Sequence, residues 1–204
     1  MTSEIRKDAM VKQEFIVEAA IKRFSHFGIN KTTLTEVAED LSISKQTLLY
    51  YFSDKQHLIA AVENQILNEY VEVLKSKADE AESIEAALIK MIEVRMLFYK
   101  KYFMLADQFD DSDNITTKPT LAEAKSKFRA TEALLLSDIL AKGVDEGSLK
   151  PMDVRKTARL LLDVLSAFAH YVKEKKVLPQ PEDFQELYEK QKEVLHIFYN
   201  GLKA

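Results

Sequence analysis

Three consecutive polar side chains in the first quarter of this 204-residue chain have the chemistry to contact DNA bases. Lys45, Gln46 and Thr47 precede Leu48, and a helix that turns Leu48 inward exposes the other three in its first turn. Side chains of this length hydrogen-bond base edges in the major groove of duplex DNA. We therefore predict that these three residues face bases.

Four nearby residues carry groups that suit phosphate: Lys31, Thr33, Tyr50 and Lys55. Ammonium and hydroxyl groups donate hydrogen bonds to phosphate oxygens, which position a protein on a duplex without reading its sequence. We predict phosphate contacts for all four. The alternative interpretation is that the aromatic residues of this segment belong to the core and that its charged residues form a solvated face.

Two short helices must hold these residues in place. The sequence predicts helices over Thr33–Asp40 and Ser44–Tyr51, joined by a turn at Leu41–Ile43. A turn of this length is too short for an antiparallel helix pair, which favours a helix-turn-helix. The residues expected to bury between the two helices are Val37, Ala38, Leu41, Ile43, Leu48 and Tyr51.

Helix-period apolar residues run along the whole chain, which has only four glycines and four prolines. We predict an all-α fold: a three-helix, helix-turn-helix DNA-binding domain of residues 1–55, then a larger helical ligand-binding and dimerisation domain of residues 56–204. No flexible linker is expected between them. The other helices are predicted over Lys7–Phe27, Asp54–Ala78, Ser83–Phe109, Pro119–Lys142, Pro151–Lys176 and Pro181–Leu202.

Helix boundaries have sequence signals of their own. Thr33 to Glu36 and Ser53 to Gln56 each match a capping box, in which the first and last side chains bond each other's backbone amides. The first helix carries an apolar stripe of Ile16, Ala20, Phe24 and Phe27, which is expected to be buried, and Gly28 suits a left-handed stop at its end. Pro151 and Pro181 suit first helical turns, where a missing N–H is tolerated.

Composition bounds the function without identifying it. The net charge is −4, and residues 1–55 hold eight basic and eight acidic side chains, so DNA binding cannot rest on bulk positive charge. No cysteine is present, which excludes disulfides and thiolate metal sites. No uncharged stretch approaches the roughly 20 residues that cross a bilayer. We expect a cytoplasmic protein that contacts no membrane.

The last two helices carry apolar surface on more than one side. In Pro151–Lys176, one stripe contains Ala158, Leu161, Leu165, Phe168 and Val172, and a second contains Leu160, Val164 and Tyr171. The last helix adds Phe184, Leu187, Val194, Leu195, Phe198 and Leu202. We predict a homodimer through these two helices, because a two-fold contact of four helices buries their extra apolar surface. A dimer also places two DNA-recognition helices about 34–36 Å apart, as a palindromic operator requires.

Methionine and aromatic residues gather in the predicted helix Ser83–Phe109. Soft and aromatic side chains suit a pocket for an apolar or amphipathic effector, although such a stripe equally forms plain core. For Arg95 the alternatives are a charge partner for an anionic ligand and a solvent-exposed side chain. The predicted pocket residues are Met91, Arg95, Tyr99, Tyr102, Phe103, Phe128, Phe168 and His170.

Three segments together resemble the signature of the TetR family of repressors: Gly28–Thr33, Val37–Ser44 and Thr47–Lys55. The resemblance implies base contacts for Lys45, Gln46 and Thr47. It implies backbone contacts for Thr33, Tyr50, Tyr51 and Lys55, of which Tyr51 also fits a buried position. Ser42 stands where the family usually has glycine, and Leu49 stands where it usually has tyrosine, so Tyr50 or Tyr51 would have to replace that phosphate contact.

We therefore predict a DNA-binding transcription regulator, a repressor released by a small effector, with no cofactor, no metal and no enzymatic activity. One alternative is a ligand-independent DNA organiser or cell-division factor that uses the same helix-turn-helix. An alternative of another class is a di-metal enzyme built on Glu193 and His196, whose spacing matches one half of a carboxylate-bridged site. Such a site needs a second copy, and the nearest match, Asp54 to His57, belongs to the helix-turn-helix segment.

Overall fold

The computed structural model describes residues 2–103, 105, 118–175 and 180–204, with side chains described for 11–103, 105, 122, 123, 125–168 and 180–204. Within these ranges the chain forms eight helices, which confirms the predicted all-α fold. They are α1 (Thr2–Phe27), α2 (Leu34–Asp40), α3 (Lys45–Tyr51), α4 (Lys55–Asp79), α5 (Ile84–Lys101), α6 (Lys118–Asp145), α7 (Val154–Lys175) and α8 (Pro181–Leu202).

The chain divides into two compact units, and the division falls inside α4, between Glu69 and Tyr70. The first unit contains α1, α2, α3, the first part of α4 and residues 102–126. The second contains the rest of α4 with α5, most of α6, α7 and α8. The functional boundary predicted at residue 55 stays a prediction.

The core of the first unit lies against one face of α1. Ile16, Ala20 and Phe24, spaced by four residues, are all buried there, as the predicted stripe requires. Phe27, the fourth member of that stripe, is 52% exposed, so its predicted burial is wrong. Its ring instead receives the Arg23 guanidinium at 5.1 Å from the ring centroid.

The turn between α2 and α3 is closed by two backbone hydrogen bonds. Ile43 N–H donates to the Ala38 carbonyl at 3.0 Å, and Ser42 N–H donates to the Glu39 carbonyl at 3.0 Å, which is the Schellman pattern. Ser42 has φ 54°, in the left-handed region, as expected for a residue in the place of glycine. The turn therefore fixes the direction in which α3 leaves α2.

In the second unit α8 packs against both α5 and α7. The buried residues include Ala158, Leu161 and Leu165 of α7, the first predicted stripe, while Leu160 of the second stripe is 53% exposed. Val164 and Phe168 are half-buried, and the side chains of Tyr171 and Val172 lie outside the described residues. On α8, Phe184, Leu187 and Leu195 are buried, and Val194, Phe198 and Leu202 are half-buried.

Some helix boundaries differ from the prediction. α7 begins at Val154, and the Asp153 carboxylate accepts a hydrogen bond from Lys156 N–H at 3.0 Å, so Pro151 precedes the helix and does not occupy its first turn. An acidic N-cap closer to the helix determines the start there. α8 does begin at Pro181, as predicted. α5 ends at Lys101, and Phe109, the predicted end, lies outside the described residues.

Candidate nucleic-acid interface and effector site

The three predicted base-contacting residues share the exposed side of α3. Lys45, Gln46 and Thr47 are exposed, while Leu48 is completely buried and holds the helix to the first unit. α3 begins at Lys45 because Ser44 caps it: the Ser44 hydroxyl oxygen accepts a hydrogen bond from Thr47 N–H at 3.0 Å. A short, capped helix anchored by one leucine presents its first turn to solvent.

Thr33 and Glu36 form the predicted capping box at the start of α2. Thr33 N–H donates to Glu36 Oε2 at 2.7 Å, and Glu36 N–H donates to the Thr33 hydroxyl oxygen at 3.3 Å. The Thr33 hydroxyl also donates to Glu36 Oε2 at 2.8 Å. The hydrogen bond from the Thr33 amide, and to a lesser extent the one from its hydroxyl, lowers the pKa of Glu36 below its ordinary 4.5.

Arg23 joins α1 to α2, which the sequence alone did not reveal. Its guanidinium lies 2.7 Å from Asp40 Oδ1 and 3.2 Å from Glu36 Oε1, both on α2. The hydrogen bond to Asp40 is the main cause of a raised pKa for Arg23. Since Arg23 and Asp40 are 17 residues apart, no local spacing rule could have paired them.

The predicted phosphate-contacting residues differ in how exposed their side chains are. Lys31 is exposed, and Tyr50 is 82% exposed. Tyr51 is half-buried, and its ring meets that of Tyr50 edge-on at 5.1 Å between centroids. Lys55 is half-buried at the start of α4, where burial lowers its pKa while the Glu36 carboxylate opposes that shift. Their contacts with phosphate stay predictions.

The N-terminus of α4 is capped one residue later than the sequence suggested. α4 begins at Lys55, and the Asp54 carboxylate accepts a hydrogen bond from His57 N–H at 2.9 Å. The predicted cap, Ser53, has its hydroxyl 2.9 Å from His57 Nδ1. Hydrogen bonds from the His57 backbone and ring lower the pKa of Asp54. The assignment of Ser53 as the residue directly before the helix is therefore wrong.

Comparison with known proteins agrees with this arrangement. The family described as bacterial regulatory proteins of the tetR family matches residues 16–62, which cover the capped helix-turn-helix. The HTH-type transcriptional regulator RutR of Escherichia coli K12 is 27% identical over 170 residues, 83% of this chain and 78% of its own. The HTH-type regulator YhgD of Bacillus subtilis is 27% identical over 164 residues, 76% of this chain and 81% of its own.

Residues 16–62 carry the helix-turn-helix of the tetR family of bacterial regulatory proteins. A transcriptional regulator from Cytophaga hutchinsonii has the same fold, with a TM-score of 0.83 and 26% identity over 95% of this chain and 99% of its own. The fatty acid degradation regulator FadR of Bacillus halodurans, with a TM-score of 0.71 and 16% identity over 90% of this chain and 94% of its own, shares the fold. DNA binding through the helix-turn-helix follows from the match of residues 16–62 to the family.

In the second unit, a buried polar cluster joins three helices. The Tyr70 hydroxyl of α4 donates to Glu132 Oε1 of α6 at 2.6 Å, and Arg95 of α5 pairs with the same oxygen. Phe98 and Phe128 place their ring centroids 5.2 Å and 4.7 Å from that of Tyr70. Arg95 is therefore largely buried and not solvent-exposed, and its guanidinium is paired with the Glu132 carboxylate.

Of the other predicted pocket residues, Met91, Tyr99 and Phe168 belong to the second unit, and Tyr102 and Phe103 belong to the first. Met91 is buried on α5, Tyr99 meets Phe184 edge-on at 5.8 Å, and Phe168 is half-buried. Tyr102 and Phe103 are buried, and the Tyr102 hydroxyl donates to Glu69 at 2.8 Å. The side chain of His170 lies outside the described residues.

Tyr70 and Glu132 were missed by sequence reasoning. Glu132 left a usable signal, because it falls four residues after Phe128 and four before Leu136, on the face of α6 that also buries Leu140. An acidic residue within an apolar stripe indicates a buried partner. Tyr70 left no such signal, since tyrosine is common at half-buried helix positions.

A cleft of about 460 Å³ lies between α5 and α8, with His196 Nδ1 3.0 Å from Glu85 Oε1 at its wall. Glu193 and His196, the residues of the di-metal alternative, both line it. Among the described residues, no three His, Asp or Glu side chains group closely enough to hold a metal ion. In the described part of the chain, no helix combines the length and apolarity needed to cross a membrane.

Proposed function

We propose that this regulator is a repressor that binds a palindromic operator as a homodimer and leaves it when a small apolar or amphipathic effector binds. The observation that carries the proposal is the first turn of α3. Lys45, Gln46 and Thr47 are exposed together on a helix fixed by the Ser44 cap, the buried Leu48 and the Schellman turn. Recognition of bases requires a helix that is held in one orientation.

Base and phosphate contacts divide the interface by chemistry. Lys45, Gln46 and Thr47 would face base edges, where sequence is read. The proposed backbone contacts, which fix the register, come from Lys31, Thr33, Tyr50, Tyr51 and Lys55. With Leu49 in place of the family's tyrosine, Tyr50 is the better replacement contact, because it is far more exposed than the half-buried Tyr51.

The proposed dimer uses the exposed faces of α7 and α8. Leu160 of α7 and Ile197 of α8, 53% and 67% exposed, are apolar groups that a partner would cover. Arg155, Lys156 and Arg159 make the exposed side of the first two turns of α7 basic. The exposed side of α8 is mainly acidic, through Glu182, Glu186, Glu189 and Glu193. In a two-fold contact, α7 of one protomer against α8 of its partner therefore pairs opposite charges.

The proposed effector site centres on the polar cluster of Tyr70, Arg95 and Glu132 and the rings of Phe98 and Phe128. Apolar walls with a few convergent polar groups are typical of small-molecule sites. The Arg95 Nε atom is buried without a hydrogen-bond partner, so the cluster has spare donor capacity. An effector changes DNA affinity only if it binds the two conformations of the dimer with different free energies.

Two linked measurements test the repressor proposal. Purified protein is first used to select duplexes from a random DNA library, and a palindromic motif is expected. Small molecules released from the same preparation are then identified by mass spectrometry and added back to the selected complex. Displacement of the DNA supports effector control. A stable motif that no released molecule displaces favours the ligand-independent organiser, and no selected motif contradicts sequence-specific binding.

A further inference from the structure

The side chain of Thr47 is fixed by the residue that caps its helix. Ser44 Oγ accepts a hydrogen bond from Thr47 N–H at 3.0 Å, and the two hydroxyl oxygens of Ser44 and Thr47 lie 2.9 Å apart. Since a branched side chain has few staggered positions open to it in a helix, this pair of bonds holds one rotamer of Thr47. The hydroxyl is directed at the cap.

The methyl group of Thr47 occupies a different staggered position on the same carbon. With the oxygen turned back towards Ser44, the methyl is the part of this exposed side chain that is left to meet a partner. Its neighbours Lys45 and Gln46 carry long polar ends. The first turn of α3 therefore presents two polar groups and one small apolar group.

We infer that Thr47 reads DNA through its methyl group and recognises the 5-methyl group of thymine in the major groove. This inference rests on the proposed base-contacting role of Thr47. Among the four bases only thymine carries a methyl group on the major-groove edge, and a threonine methyl makes apolar contact with it. Two methyl groups that exclude water from each other distinguish thymine from cytosine without a hydrogen bond.

Deoxyuridine substitution isolates this contact, because uracil pairs as thymine does and lacks only the methyl group. The probe is the duplex selected by the wild-type protein, with its thymines replaced one at a time. Burial of one methyl group predicts a loss of about threefold in affinity at one thymine of each half-site. Replacement in both half-sites together is expected to cost about tenfold.

Two variants separate the methyl from the hydroxyl. Thr47→Val keeps a methyl in the same place and removes the oxygen, whereas Thr47→Ser keeps the oxygen and removes the methyl. Both retain the Thr47 backbone amide that Ser44 caps. We expect Thr47→Val to keep the deoxyuridine penalty and Thr47→Ser to lose it, with far-ultraviolet circular dichroism and the thermal midpoint confirming that both fold.

The opposite result overturns the inference. A penalty kept by Thr47→Ser, or lost by a folded Thr47→Val, assigns the contact to the hydroxyl or to another residue. A selected operator in which no thymine is sensitive to deoxyuridine also overturns it, while leaving the proposed function intact. If the wild-type protein selects no motif, the proposed function fails and the inference fails with it. The wild-type penalty does not depend on the folding of any variant.

Discussion

The Tyr70 hydroxyl and the Glu132 carboxylate are joined by a buried hydrogen bond of 2.6 Å that links α4 to α6. Burial, and then the negative charge of Glu132, raise the pKa of Tyr70 well above its ordinary 10.0, so the phenol stays protonated and donates. Burial by itself lowers the pKa of Arg95, but the attraction of the Glu132 carboxylate opposes burial, and the pKa is raised above its ordinary value. One glutamate oxygen thus holds both partners.

Removing Arg95 strands that carboxylate in the interior. We expect Arg95→Met to lower the free energy of unfolding by about 3–5 kcal/mol, because the buried Glu132 charge loses its counter-ion. Urea denaturation measures the change. Lys77→Ala, which breaks the exposed pair with Glu80, is the control and should cost at most about 1 kcal/mol. Equal losses for the two variants would show that the Arg95 pair is not buried.

Ser42 adopts φ 54° in the turn of the helix-turn-helix. A side chain in the left-handed region costs roughly 1–2 kcal/mol, so Ser42→Gly should raise the free energy of unfolding by about 1 kcal/mol. Thermal melts of the purified variants check this. Ser166→Gly, in the interior of α7, introduces the same residue and should lower stability by about 0.5–1 kcal/mol. A destabilising Ser42→Gly would contradict the conformation of the turn.

Glu36 makes the fold sensitive to acid. Its pKa in the folded state is lowered from 4.5, mainly by hydrogen bonds from Thr33, so its contribution is complete above pH 4.5 and is lost as the pH falls through the lower folded value. We expect the thermal midpoint of Glu36→Gln to fall less steeply between about pH 6 and pH 3. Glu39→Gln on the same helix should follow the wild type. Identical acid profiles for all three proteins would remove Glu36 from this role.

The proposed dimer face predicts which exposed apolar residues are needed for dimerisation. Leu160→Asp or Ile197→Asp should convert the dimer to monomer, since each places a charge where apolar surface would be buried. Sedimentation velocity reports the change. Leu97→Asp, at a residue 56% exposed on α5, is the matched control and should leave the dimer intact. If only Leu97→Asp dissociates the dimer, the interface lies on another face.

Local signals in the sequence identified most of the helix-turn-helix. Thr33 and Glu36 are three residues apart, and Ser42 occupies a turn of fixed length, so neighbouring residues determine both conformations. The pairing of Arg23 with Asp40 and of Tyr70 with Glu132 joins separate helices. Those pairs depend on how the helices pack. The helical period shows which residues share a face, but it does not show which residues of another helix they contact. The burial of Phe27 was predicted wrongly for the same reason: it lies on the face of α1 that buries Phe24, but beyond the part of that face that the core covers.

The central claim is that α3 reads bases while neighbouring residues hold the phosphates. The ratio of affinities for the selected duplex and a scrambled duplex, measured across salt concentrations, tests it most directly. Gln46→Ala should lower this ratio by roughly tenfold and leave the scrambled duplex unaffected. Lys55→Ala should weaken both duplexes alike and reduce the salt slope by about one unit. An unchanged ratio for Gln46→Ala, or an unchanged slope for Lys55→Ala, would contradict the account.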